Sequence, residues 1–230
     1  IIPYVDGFVD FFTAACKYEL SMFLLVLLNY LYTMKKLLLS IVSLTTLGLM
    51  AQLDVTGTWV FKPVANAMAV GQKGDYSDWG NPAEEVTGAR ACQFDDEFVI
   101  TEDGTFKNVF GDETFLEGWQ GGTWGCGAPI APFDGSAEAT WSLDESNNNL
   151  TIYGKGAFIG LPKVINMNEI SSNDDAADSI TYMVNVIADT MILEIQIKDD
   201  GTHWKFELVR KREAINPVGT WRFAPKAYAM

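Results

Sequence analysis

Few side chains in this sequence are suited to chemistry. Two carboxylate clusters, Asp95-Asp96-Glu97 and Asp174-Asp175, carry the acid groups that glycoside hydrolysis needs as a pair flanking the scissile bond. Adjacent residues on a strand point to opposite faces, which separates Asp95 from Asp96 and Asp174 from Asp175, and no E-x-D-x-x-E strand motif occurs. His203 is the sole histidine; beside Trp204 in a strand pattern it reads as a surface strand residue rather than a base. Ser172-Asn173-Asp174-Asp175 and Asp144-Glu145-Ser146-Asn147 are oxygen-rich, which makes calcium the one candidate cofactor. Neither has the spacing of a calcium loop, and Asn and Asp also favour turns for their backbone geometry. The expectation is no catalytic residue and no resident metal.

The aromatic residues carry more. Glu117-Gly118-Trp119-Gln120-Gly121-Gly122-Thr123-Trp124-Gly125-Cys126-Gly127 places two tryptophans in a glycine-rich loop, and Asp75-Tyr76-Ser77-Asp78-Trp79-Gly80-Asn81 adds a third. A flat indole beside Asp, Asn and Gln suits stacking on a sugar face, with hydrogen bonds to its hydroxyls. Trp79, Trp119, Gln120 and Trp124 are therefore the candidate carbohydrate-binding residues. The competing reading is that these rings plug one end of the fold.

Those loops need a frame, and the strand signals supply one. Val55–Phe61, Phe94–Thr101, Thr105–Phe110, Ala137–Leu143, Leu150–Tyr153, Ser179–Ile187, Met191–Ile197 and His203–Val209 show β-branched and aromatic residues in partial alternation. Short turn clusters separate several of them, and such links join antiparallel neighbours, because parallel strands need long crossovers. The fold class expected is all-β, an antiparallel meander of about eight strands closed as a barrel or folded as a β-sandwich. Trp204, Phe206 and Leu208 share one face of the last strand, as do Leu193, Ile195 and Ile197 of the strand before it.

The chain has 230 residues, 48% of them hydrophobic, enough for a buried core. Its 30 acidic and 16 basic residues give a net charge of −14, which repels a polyphosphate backbone and excludes nucleic acid as a partner.

Export is written near the start. Met34 is followed by Lys35-Lys36, the apolar run Leu37–Met50 and the small residue Ala51, the pattern of a secretory signal peptide over 34–51 cleaved before Gln52. The expected location is secreted or cell-surface, with membrane contact only during export. Residues 1–33 read as an upstream segment outside the natural product. In that compartment Cys92 and Cys126, 34 positions apart, are expected to form a disulfide.

At the other end, residues 217–230 repeat residues 55–68 with eight of fourteen positions identical, Gly57-Thr58-Trp59 recurring as Gly219-Thr220-Trp221. The expected organisation is a β module over 53–210, a linker at 211–216 and the start of a second, truncated copy at 217–230, part of a longer tandem array.

Several of these stretches together resemble a tandemly repeated module of secreted proteins from marine Bacteroidota. They are Gly57-Thr58-Trp59, Ala91-Cys92-Gln93-Phe94-Asp95-Asp96-Glu97, Glu117-Gly118-Trp119-Gln120-Gly121, Gly125-Cys126-Gly127-Ala128-Pro129 and Gly156-Ala157-Phe158-Ile159-Gly160-Leu161-Pro162-Lys163. Such modules stand beside family 16 glycoside hydrolase (laminarinase-like) domains. The resemblance implies a non-catalytic accessory role around polysaccharide such as a β-glucan. A weaker likeness is to lipocalin-like domains, which open with Gly-x-Trp and close with an Arg over that Trp; Gly57, Trp59 and Arg210 fill those places. It implies a pocket for a small apolar ligand as the alternative, and a purely structural spacer is the third reading.

Overall fold

The computed structural model describes residues 24–37 and 53–212. The chain divides into two units, Ile1–Gln52 and Leu53–Met230. Within the first, residues 24–37 form a helix, α1. Among the described residues no helix is long and apolar enough to cross a membrane. Most of the expected signal segment (38–51) lies outside the described residues, as do 213–216 of the linker and the second copy at 217–230.

The second unit begins with β1 (Gly57–Phe61), β2 (Met68–Gln72), β3 (Trp79–Gly80), α2 (Ala83–Val86), α3 (Ala91–Phe94), β4 (Glu97–Ile100) and β5 (Thr105–Val109). A small hairpin follows, β6 (Thr114–Leu116) and β7 (Gly125–Gly127), then β8 (Ala139–Asp144) and β9 (Asn149–Tyr153). A second one, β10 (Val164–Ile165) and β11 (Asn168–Glu169), precedes β12 (Ser179–Ile187), β13 (Thr190–Gln196) and β14 (Thr202–Arg210).

Eight strands, β1-β4-β5-β8-β9-β12-β13-β14, pair antiparallel in that order, and β14 returns to β1 with Trp59 opposite Arg210 and Phe61 opposite Leu208. That return pairing closes the eight strands into a barrel, so the sandwich alternative falls. The eight strands expected from alternation are these eight. Their starts differ: Val55–Thr56 precede β1, Ala137–Glu138 precede β8, and Phe94 ends α3 instead of opening β4. The first half of β14 has another neighbour: Thr202–Phe206 pair with β2, which extends the sheet to β3.

Alternation sends the large side chains inward. Trp59, Phe61, Phe98, Phe106, Leu150, Ile152, Tyr182, Met191, Leu193, Phe206 and Leu208 are buried. The connection from β9 to β12 adds a plug, because Ala157–Leu161 are buried as well. Ile159 donates its backbone N–H to the Tyr182 hydroxyl at 2.9 Å, and Asn108 clasps the Phe158 backbone through both its amide atoms. Gly160 lets this segment pass: its φ is +98°, and a Cβ there would lie 2.6 Å from the Phe206 ring. The barrel interior is filled with side chains.

At the seam, Trp59 donates its indole N–H to the Val55 carbonyl at 2.8 Å, and the Arg210 guanidinium lies 4.4 Å from the centre of its ring. Arg210 also reaches the Thr56 carbonyl and, at 3.1 Å, the Asp54 carboxylate. Gly57 (φ +121°) sits beneath this arm, where a Cβ would fall 2.5 Å from the guanidinium. The Gly-x-Trp and Arg of the lipocalin-like pattern are thus in contact.

Candidate functional site

Two tight local structures fix the loops outside the barrel. Cys92 of α3 and Cys126 of β7 are joined in a disulfide. Close by, Thr114 of β6 donates its hydroxyl to the Asp96 carboxylate at 2.6 Å. The β6–β7 hairpin is therefore held to the α3–β4 segment at two points, one covalent and one polar.

Asp96 is buried, and one of its oxygens has no hydrogen-bond partner. Burial pushes its carboxyl up to about 8; the Thr114 hydrogen bond opposes this and the neighbouring Asp95 charge adds to it. Folded, the group keeps its proton up to about pH 8, whereas unfolded it loses it near pH 4. The folded state thus holds the extra proton across that window, and the Asp96 contribution falls as pH rises through it, by up to about 1.4 kcal/mol per unit. Asp54, Asp103, Asp134, Asp144 and Asp200 are each held below the usual carboxylate range, chiefly by a neighbouring Ser or Thr hydroxyl. Their contribution is lost only at more acid pH. Thermal melts between pH 5 and pH 8 should therefore show the midpoint falling toward alkaline pH, and Asp96→Asn should flatten the profile. A wild-type midpoint that rises over this range contradicts the assignment.

Four segments outside the barrel surround a groove of about 430 Å³. Val70 and Trp79 come from the β2–β3 arm, Glu85 and Arg90 from α2 and its link to α3, Phe115, Glu117 and Trp124 from the β6–β7 hairpin, and Leu161, Lys163 and Glu169 from the β9–β12 connection. Trp204 of β14 completes it. The side chains interleave: Trp204 meets Trp79 edge-on at 5.7 Å, Arg90 lies 5.6 Å from the Trp79 ring and 3.9 Å from Phe115, and Phe115 meets Trp124 at 5.5 Å. Two ion-pair clusters run alongside. Arg90 donates to Glu85 at 2.8 Å and to the Gln93 amide oxygen at 3.0 Å. Lys163 stands 3.0 Å from Glu117 and 3.7 Å from Glu169, whose carboxylate also accepts from the Trp204 indole at 3.0 Å.

The four residues expected to bind sugar separate into two pairs. Trp79 and Trp124 line the groove and remain 37% and 66% exposed, enough to present a ring face. Trp119 turns away from it: its indole donates to Glu117 at 2.7 Å and packs edge-on against Phe133. Gln120 is buried, its side-chain oxygen accepting from the Glu117 backbone N–H at 2.8 Å across the short 3₁₀ turn Gly118–Gln120. The Glu117-to-Gln120 spacing is that of a capping box, a signal of local structural use that was readable in the sequence. Arg90, Lys163, Glu169 and Trp204 carry no local motif and come together only through the fold.

Other candidates resolve simply. His203 is buried, not a surface residue; its Nδ1 donates to the Gly201 carbonyl at 2.7 Å. The Asp144 carboxylate accepts from Ser146 and Asn147 within its own turn, and Ser172 accepts from the Asp174 N–H. Among the described residues no three His, Cys, Asp or Glu side chains converge as a metal site.

No protein-family model matches the chain, and no curated protein matches it. Among solved structures it is similar to a DUF4847 family protein from Bacteroides vulgatus ATCC 8482, at 14% identity over 69% of this chain and 95% of that one, with a TM-score of 0.34. A likeness that distant bears on neither ligand nor activity.

Proposed function

We propose that the β module is a non-catalytic extracellular accessory module, exported and repeated in a longer protein, that binds polysaccharide such as a β-glucan. The observation that carries this reading is the groove edged by the exposed Trp79 and Trp124, with Glu117, Lys163 and Glu169 between them as hydrogen-bonding groups. Indoles supply rigid apolar faces for pyranose rings, and fixed polar groups orient the hydroxyls. The lipocalin-like reading needs a hollow interior, whereas this barrel is occupied by its own Phe158, Ile159 and Tyr182.

Affinity electrophoresis tests the proposal. Laminarin in the gel should retard the protein, and Trp79→Ala with Trp124→Ala should abolish the shift at a temperature where circular dichroism shows the double variant folded. Retardation by no glycan, or retardation that survives the double substitution, contradicts it and favours a structural spacer.

A further inference from the structure

The charges of the groove narrow the class of glycan. Both cations that line it already have anionic partners: Arg90 is held by Glu85 and the Gln93 oxygen, Lys163 by Glu117 and Glu169. Arg90 is buried, and its guanidinium lies against Phe115, so it cannot turn toward a new partner without leaving both the ring and Glu85. The lining holds three carboxylates against two cations, within a chain of net charge −14. An incoming uronate or sulfate would meet this excess of negative charge and find its natural partners engaged. A hydroxyl faces no such conflict: it can donate to a Glu oxygen and accept from the Lys163 ammonium with the ion pairs intact.

We infer that the groove selects an uncharged glycan and rejects uronate-bearing and sulfated chains. This rests on the glycan reading above, and it adds the ion pairs Arg90–Glu85 and Lys163–Glu117/Glu169 as the determinants of that selection. The paired carboxylates do two things here: they hold the cations in fixed positions for hydroxyls, and they repel anions.

Titration calorimetry of the whole chain with three forms of one backbone tests this: laminarin, hydroxyethyl laminarin and carboxymethyl laminarin. The expected order is laminarin and hydroxyethyl laminarin close together and the carboxymethyl form at least about tenfold weaker, with the gap shrinking as salt screens the charges. Glu85→Gln with Glu169→Gln should narrow the gap further by removing the repelling groups. Equal or tighter binding of the carboxymethyl form overturns the inference while leaving the glycan reading in place. Equal rejection of the hydroxyethyl form also overturns it, since size then discriminates rather than charge. Failure of all three to bind refutes the glycan reading itself, and the inference with it.

Discussion

Replacing Trp59 with alanine should lower the stability of the β module by about 3–5 kcal/mol, the range for deleting a large buried aromatic. The ring is fully buried where β1 meets both β4 and β14, opposite Phe98 on one side and Arg210 on the other. Its loss leaves a cavity at the closing seam and an Arg210 guanidinium without the ring beneath it. Domains of this size are stable by only about 5–15 kcal/mol, so the variant stands near the edge of folding. Urea denaturation should show the midpoint shifted sharply down. Trp59→Phe, which keeps part of the ring but loses the Val55 hydrogen bond, should fall between the two. A loss below about 1 kcal/mol for the alanine variant would mean that the seam does not depend on this contact.

The second large effect concerns the disulfide. The bridge closes a loop of 34 residues, and the chain-entropy model gives about 3–4 kcal/mol for a loop of that length. Cys92→Ser with Cys126→Ser should reduce stability by that amount. It should also free the β6–β7 hairpin, whose remaining tie to the α3–β4 segment includes the Thr114–Asp96 hydrogen bond. Since Phe115, Glu117 and Trp124 all ride on that hairpin, laminarin retardation should weaken even at temperatures where the barrel is folded. Circular dichroism and affinity gels on the same sample separate the two effects. A double variant with unchanged stability would place the constraint elsewhere.

The barrel was legible because its strands obey one simple rule. In β13, and in β14 from Trp204 onward, the buried residues are every second one, Met191, Leu193 and Ile195, then Trp204, Phe206 and Leu208, and that period marks a half-buried strand without knowledge of its partners. Closure was not legible, since barrel and sandwich share the same alternation and differ only in whether β14 finds β1. The β2–β3 arm escaped notice because β3 has two residues and Gly71 interrupts β2. Helices α2 and α3 have four residues each, a single turn, too little for a helical period to show. At the site, composition (a bulky ring among glycines and polar residues) singles out Trp79 and Trp124, which line the groove. The same criterion also takes in Trp119 and Gln120, which do not line the groove, because it is blind to the short 3₁₀ turn that folds both back on Glu117. Arg90, the Lys163–Glu169 pair and Trp204 come from three separate segments, so no local window contains the whole relationship.

The seam between the first and last barrel strands has a mechanical meaning. Because Trp59 lies opposite Arg210, and the Lys211 N–H bonds to the Thr58 carbonyl at 2.7 Å, the chain enters and leaves the module at the same place. A pull on the two flanks would peel β1 from β14 one hydrogen bond at a time instead of loading the whole ladder at once. In that geometry the Arg210 arm over Trp59 is the first clasp to be strained, so a module under tension would yield at its doorway.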